Sequence, residues 1–145
     1  MPRARKQLTA KIRSLTSPPS EAKFQCTVCN VLDEYAPYGI RYAAVPNGGK
    51  RRPKEAAQLK NQGVQPGFPD LLILIAPFAY GNVRAPASRP KSLYVELKTE
   101  DGTLSAEQIE WRDWLKSNGF LWAEWRTIDD VHATLKPLIG ARAAA

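Results

Sequence analysis

Glu96 and Lys98 stand two residues apart in the stretch YVELK, Tyr94–Lys98, and Asp70 closes the stretch GFPD, Gly67–Asp70. Side chains alternate across a strand, so residues two apart share a face. If YVELK is a strand, Glu96 and Lys98 project side by side while Val95 and Leu97 face a core. Asp70 stands at the mouth of the apolar run Leu71–Ile75, which a hairpin-type connection joins to YVELK. Adjacent strands of such a hairpin bring Asp70 near Glu96. Two converging carboxylates are hard oxygen ligands of the kind that Mg2+ or Mn2+ takes in small number while keeping its waters. An ammonium beside them can hold a phosphate oxygen or a water. This is the composition that phosphodiester hydrolysis needs: a cation that polarises the phosphoryl oxygen and acidifies water, and positive charge where negative charge develops. A compact amine that can change protonation suits the place better than a guanidinium. Pro69 biases Phe68 toward an extended backbone and so defines the approach to Asp70. The competing reading is a surface ion pair on a half-exposed strand, with Asp70 merely opening a strand after a proline turn.

These residues need elements to hold them. Ser20 can cap a helix whose apolar stripe is Phe24, Val28, Val31, Leu32 and Tyr35, with Glu21 in its first turn at the border of that stripe. Pro37 and Gly39 break it. Arg41–Val45 reads as a short strand closed by the turn PNGG, Pro46–Gly49. A short helix over Pro53–Gln62 follows, with Pro53 in its first turn and Gly63 as its stop. Leu71–Ile75 is uninterrupted apolar sequence, which predicts a strand covered on both faces. Residues 77–92, with Gly81, Pro86 and Pro90, read as a connection longer than most hairpin loops. Ser105 and Gln108 have the spacing of a capping box, with Leu104 and Ile109 as a hydrophobic staple around it. Trp111, Trp114 and Leu115 continue that helix's apolar face, and Gly119 ends it. Phe120–Trp125 is strand-like, and Thr127 with Asp130 opens a last helix that Pro137 should limit. The order predicts one α/β domain over residues 20–140, a mixed sheet of about four strands flanked by helices. A flexible basic arm over 1–19 precedes it and a short tail over 141–145 follows.

A chain of 145 residues suits a single core. Its net charge of +7 favours a polyanionic partner, nucleic acid first. The charge is clustered: Arg3, Arg5, Lys6, Lys11 and Arg13 precede the first acid, and Lys50, Arg51, Arg52 and Lys54 form a second block. Two blocks favour a phosphate-tracking surface over scattered solubilising charge. The longest apolar run, Leu71–Ala76, is too short to span a membrane, and no apolar segment backs the basic N-terminus as in a secretory signal. An intracellular protein is expected. Cys26 and Cys29 have CxxC spacing, but there is no second pair and His132 is remote, so ordinary buried thiols are expected rather than a zinc or redox site. Trp111, Trp114, Trp122 and Trp125 have spacings that favour core or dimer packing over stacking on bases.

The stretch GVQPGFPDLLIL, followed by YVELKTEDGTLSAEQIEWRDWLKSNGF, resembles the VRR-NUC (virus-type replication-repair nuclease) family of the PD-(D/E)XK superfamily. Asp70 matches the D of the PD motif, and Glu96 and Lys98 match the ExK motif with Leu97 between them. Gln108 matches a glutamine on the helix after that strand. Glu21 and Gln25 resemble an acid and a glutamine of the first helix, and the PNGG turn with Asn47 resembles a turn common in the family. The resemblance runs from about Glu21 to Trp125 and implies a restriction-endonuclease-like core. It implies a Mg2+- or Mn2+-dependent DNA endonuclease in which Asp70 and Glu96 bind metal, with the Leu97 backbone carbonyl as a further ligand. Lys98 would orient or activate water and stabilise the transition state. Glu21 would support the metal shell through a water or bind a second metal, and Gln108 would orient the Lys98 region or a DNA phosphate. Lys50, Arg51, Arg52, Lys54, Asn47 and Gln25 would contact DNA. Short stand-alone members resemble phage-type proteins that dimerise and act on branched DNA such as four-way junctions in replication, recombination or repair. A homodimer on branched DNA, in the cytoplasm of a bacterial or phage-infected cell and away from membranes, is the resulting expectation. A duplex or flap nuclease and a non-catalytic nucleic-acid-binding module are the alternatives.

Overall fold

The structure is a computed structural model, and it describes residues 19–46, 52–77, 79–80, 83–84 and 89–140. Helix α1 is Glu21–Glu34, followed by a single 3-10 turn over Ala36–Tyr38 and strand β1, Ile40–Ala44. Then come α2 (Pro53–Asn61), β2 (Leu71–Ile75), the short strands β3 (Ala79–Tyr80) and β4 (Val83–Arg84), β5 (Lys91–Leu97), α3 (Ala106–Ser117), β6 (Leu121–Trp125) and α4 (Ile128–Ile139). Residues 1–18 of the arm expected over 1–19, the tail over 141–145 and the PNGG turn from Asn47 on lie outside the described residues.

The main sheet has the order β1-β2-β5-β6. The β1–β2 and β2–β5 pairs are antiparallel, and β5–β6 is parallel, with α3 as the crossover. This is the mixed four-stranded α/β architecture expected. β3 and β4 form a separate two-stranded hairpin inside the connection from β2 to β5. The long hairpin connection expected over residues 77–92 thus carries a short hairpin of its own.

The local start signals act as anticipated because they are local chemistry. The Ser20 hydroxyl accepts the Lys23 amide at 3.3 Å. Ser105 and Gln108 form a reciprocal capping box, as do Thr127 and Asp130. Gly39 takes a φ of 83°, the left-handed conformation that reverses the chain into β1. Pro137 does not limit α4, which continues through it to Ile139. Pro137 has no amide to give the Ala133 carbonyl, but it stands in the last turn, so little helix beyond it remains to be disturbed.

One face of the sheet carries the core. Leu71, Ile73, Ile75, Leu93, Val95 and Leu97 meet Phe24, Val28 and Leu32 of α1 and Val131, Leu135 and Ile139 of α4. Trp125 is completely buried there, and its indole N–H donates to Thr134 at 2.9 Å. The lone histidine belongs to this packing. His132 Nδ1 and the Tyr35 hydroxyl share a hydrogen bond of 2.6 Å between α4 and α1.

Three expectations about burial are corrected. β2 is fully covered on one face only: on the other, Leu72 is half-buried and Leu74 is 51% exposed, and α3 packs chiefly over the far strand β6. Cys26 is exposed and Cys29 half-buried, so the thiols are not core residues. Leu115 is the buried residue of α3, whereas Trp111 is half-buried and Trp114 is 52% exposed. The two indoles instead join an aromatic cluster with Phe68, Tyr94 and Phe120 on the face of the sheet opposite the core.

Candidate active site

β2 and β5 are neighbours with Leu71 opposite Val95, so Asp70, one residue before β2, falls opposite Glu96 near the end of β5. The alternation that places Val95 and Leu97 in the core turns Glu96 and Lys98 to the other face. There, however, Glu96 is 2% exposed and Lys98 9%. Gln108 of α3 closes over Glu96, and the loop at Gly102 packs against the Lys98 side chain. This removes the reading of a solvated surface pair: the Lys98 ammonium lies 3.3 Å from Glu96 Oε1 and both groups are buried.

Each member is held. Asp70 Oδ2 accepts the backbone N–H of Leu97 at 2.8 Å, which ties the mouth of β2 to the end of β5. Gln108 spends both ends of its amide. Its Oε1 accepts the Ser105 N–H at 2.8 Å, and its Nε2 donates to Glu96 Oε1. The glutamine thus touches Glu96, and Glu96 in turn touches Lys98. The Lys98 backbone donates to the Trp125 carbonyl at 3.0 Å and extends the β5–β6 pairing past the strand.

Burial first and the charge of Asp70 second push the Glu96 carboxyl up to about 7, against the opposing pull of Lys98. Asp70 is raised as well, by burial first, while the Leu97 amide draws it back and the charge of Glu21 pushes it up. Glu21 is exposed in the first turn of α1. It is near enough to act on both carboxyls through its charge, but among the described residues no three acids, histidines or cysteines gather as a metal-ligand group.

The sequence profile of the VRR-NUC domain matches residues 6–126, most of the chain. The chain belongs to the VRR-NUC family. A solved structure of a VRR_NUC domain protein aligns with a TM-score of 0.55 at 22% identity, covering 82% of this chain and 87% of that one. At that identity the likeness establishes the shared fold. No curated protein matches the chain.

The donors of this VRR-NUC site suit a hard divalent cation. Burial raises both carboxyls and the charge of Asp70 raises Glu96 further, a repulsion that a cation would relieve. Mg2+ and Mn2+ accept a site with few protein oxygens and complete their shells with water.

The DNA-contact candidates are spread. Arg52 is exposed at the N-cap of α2, and Lys54 is exposed one residue into that helix. Gln25 is half-buried on α1, one turn after Glu21. Lys50, Arg51 and Asn47 lie outside the described residues.

One supporting residue was not anticipated. Arg126 follows β6, and its guanidinium donates to the Thr99 carbonyl at 2.8 Å, the Glu100 carbonyl at 3.1 Å and Glu124 at 3.0 Å. It fastens the loop that leaves Lys98. It also neutralises Glu124, which lies opposite Glu96 in the parallel register. The signal was present as a second acid-x-base triplet, Glu124-Trp125-Arg126, but only the strand register shows that it stands beside the first.

Proposed function

We propose that this chain is a Mg2+- or Mn2+-dependent deoxyribonuclease that cuts branched DNA as a homodimer in the cytoplasm. The observation that carries the reading is the buried Glu96 carboxylate, pressed against Asp70 and held by Lys98 and Gln108. Family membership makes it a nuclease domain; the metal, the DNA structure and the dimer are the added claims.

Asp70, Glu96 and the Leu97 carbonyl would hold the cation, and Glu21 would support its shell through a water or bind a second metal. When bound, that ion supplies Lewis acidity toward a phosphoryl oxygen and lowers the pKa of water. The protein's own groups do the rest. Gln108 keeps Glu96 from turning away. The Lys98 ammonium places fixed positive charge where the attacked phosphoryl group gains negative charge, and burial strengthens that interaction. It also donates hydrogen bonds that orient the attacking water. Arg52 and Lys54, with Lys50 and Arg51, bind phosphates away from the scissile bond. Two opposed phosphates of a junction call for two such sites related by a two-fold axis, which a symmetric dimer provides.

Cleavage of labelled four-way junction, flap and duplex DNA, with Mg2+, Mn2+ or EDTA and beside Asp70→Ala, tests this. Cutting of the junction that needs metal and is lost in the variant supports the full reading. Preference for flap or duplex would replace the substrate assignment. DNA binding without cutting under any condition would favour a binding module.

A further inference from the structure

Asp70 belongs to no regular element. It ends the loop after α2, and a metal site tolerates only a fraction of an ångström of drift in its ligands. Something must hold this loop. The Val45 amide donates to the Asp70 carbonyl at 2.7 Å from the β1 side. On the other side every residue from Pro66 to Phe68 is engaged by α3 or by its aromatic cluster. The Pro66 carbonyl accepts the Trp111 indole N–H at 3.1 Å. Gly67, at a φ of 76°, presses so closely on α3 that a Cβ there would stand 2.5 Å from the Glu107 backbone carbon. The Phe68 ring sits edge-on to Trp111 at 4.9 Å and to Tyr94 at 5.9 Å. One turn of α3 therefore sets both carboxylates, Glu96 through Gln108 and Asp70 through the loop pinned by Trp111.

We infer that Trp111 is a positioning residue: its indole N–H on the Pro66 carbonyl holds the loop that sets Asp70 relative to Glu96. The inference rests on the metal-site reading of that pair. Packing alone does not account for the geometry. Trp111 is only half-buried and stands outside the core cluster, and its polar atom is spent on an irregular loop. Trp114, its neighbour in the same cluster, stacks on Phe120 and lines the open cleft beside Pro66.

The test compares wild type, Trp111→Phe and Trp114→Phe. Trp111→Phe keeps a ring against Phe68 and removes the N–H. Mn2+ affinity is read by calorimetry, and hydrogen exchange at the Leu97 amide reports its bond to Asp70. Groups that orient metal ligands change affinity by about 10–100-fold. Trp111→Phe should therefore weaken Mn2+ binding by at least about tenfold and speed Leu97 exchange, with an unchanged KM for DNA and a lower kcat; Trp114→Phe should do neither. Phe68→Leu, which removes the ring packed against Trp111 but leaves the indole N–H in place, should fall between them. Wild-type Mn2+ affinity and Leu97 protection in Trp111→Phe would overturn the inference, as would equal losses in Trp114→Phe. Failure of wild type to bind Mn2+ would sink the metal reading, and Leu97 exchange would still decide whether Trp111 positions Asp70.

Discussion

The central residue is Glu96, and its environment has a consequence in pH. Its folded pKa of about 7 lies above the ordinary glutamate value of 4.5. Without metal the folded protein therefore holds a proton that the unfolded chain has already released. The protonated carboxyl's contribution is fully present below about pH 4.5 and is lost as pH rises through about 7. A divalent cation competes with that proton, so metal should stabilise more at high pH than at low. Thermal melts with and without Mn2+ should show a larger rise in Tm at pH 8 than at pH 6. An equal rise at both would mean that the cation binds elsewhere. At this scale the sequence showed which residues are neighbours, because alternation along YVELK is a property of any strand. It did not show that Glu96 and Lys98 are buried, since that depends on the next loop and on the helix that begins beyond it. The Arg126 contacts were hidden for the same reason: they run from the end of β6 back to Thr99 and Glu100.

At the scale of elements, α3 is the part whose removal from the sheet would dismantle the site. Gln108 serves its own helix start and Glu96 at once. Gln108→Ala should cost about 1 kcal/mol in unfolding free energy from the lost half of the capping box. It should also lower cleavage by about tenfold or more, as expected for a group that orients a ligand. Denaturant unfolding and single-turnover cleavage measure the two effects separately; a stability loss with unchanged cleavage would reduce Gln108 to a cap. The element order and four helix starts were legible because capping residues, Gly stops and proline starts act over a few residues. The coverage of each sheet face was not. LLILI reads as a strand buried on both sides, yet Leu74 is half exposed, because an apolar run does not say how much of each face its neighbours cover. The Trp111 and Trp114 pair misled in the same way. Helical spacing places indoles on a face without saying whether that face meets the core, a loop or solvent.

At the scale of the whole molecule, the excess of positive charge predicts salt-sensitive association with DNA. The logarithm of the binding constant should fall linearly with the logarithm of salt concentration. Arg52 is exposed at the head of α2, next to Arg51 in sequence. Changing both to Ala should reduce the slope by about 2 if each contacts a phosphate. Fluorescence anisotropy across a salt series measures it, and an unchanged slope would take this block off the DNA surface. No helix among the described residues is long and apolar enough to cross a membrane.

The most direct measurement is single-turnover cleavage of a labelled four-way junction in Mg2+ by wild type and by Glu96→Gln, with binding to the same DNA followed in parallel. The amide keeps the volume and one acceptor oxygen of the carboxylate, replaces the other oxygen by an NH2 donor and removes the charge. Loss of cutting by about a hundredfold or more with DNA affinity retained is the predicted result, the scale of an essential group that stabilises charge in the transition state. Cutting at the wild-type rate by Glu96→Gln would contradict the account, because the buried pair of Asp70 and Glu96 could then not be the centre that holds the metal.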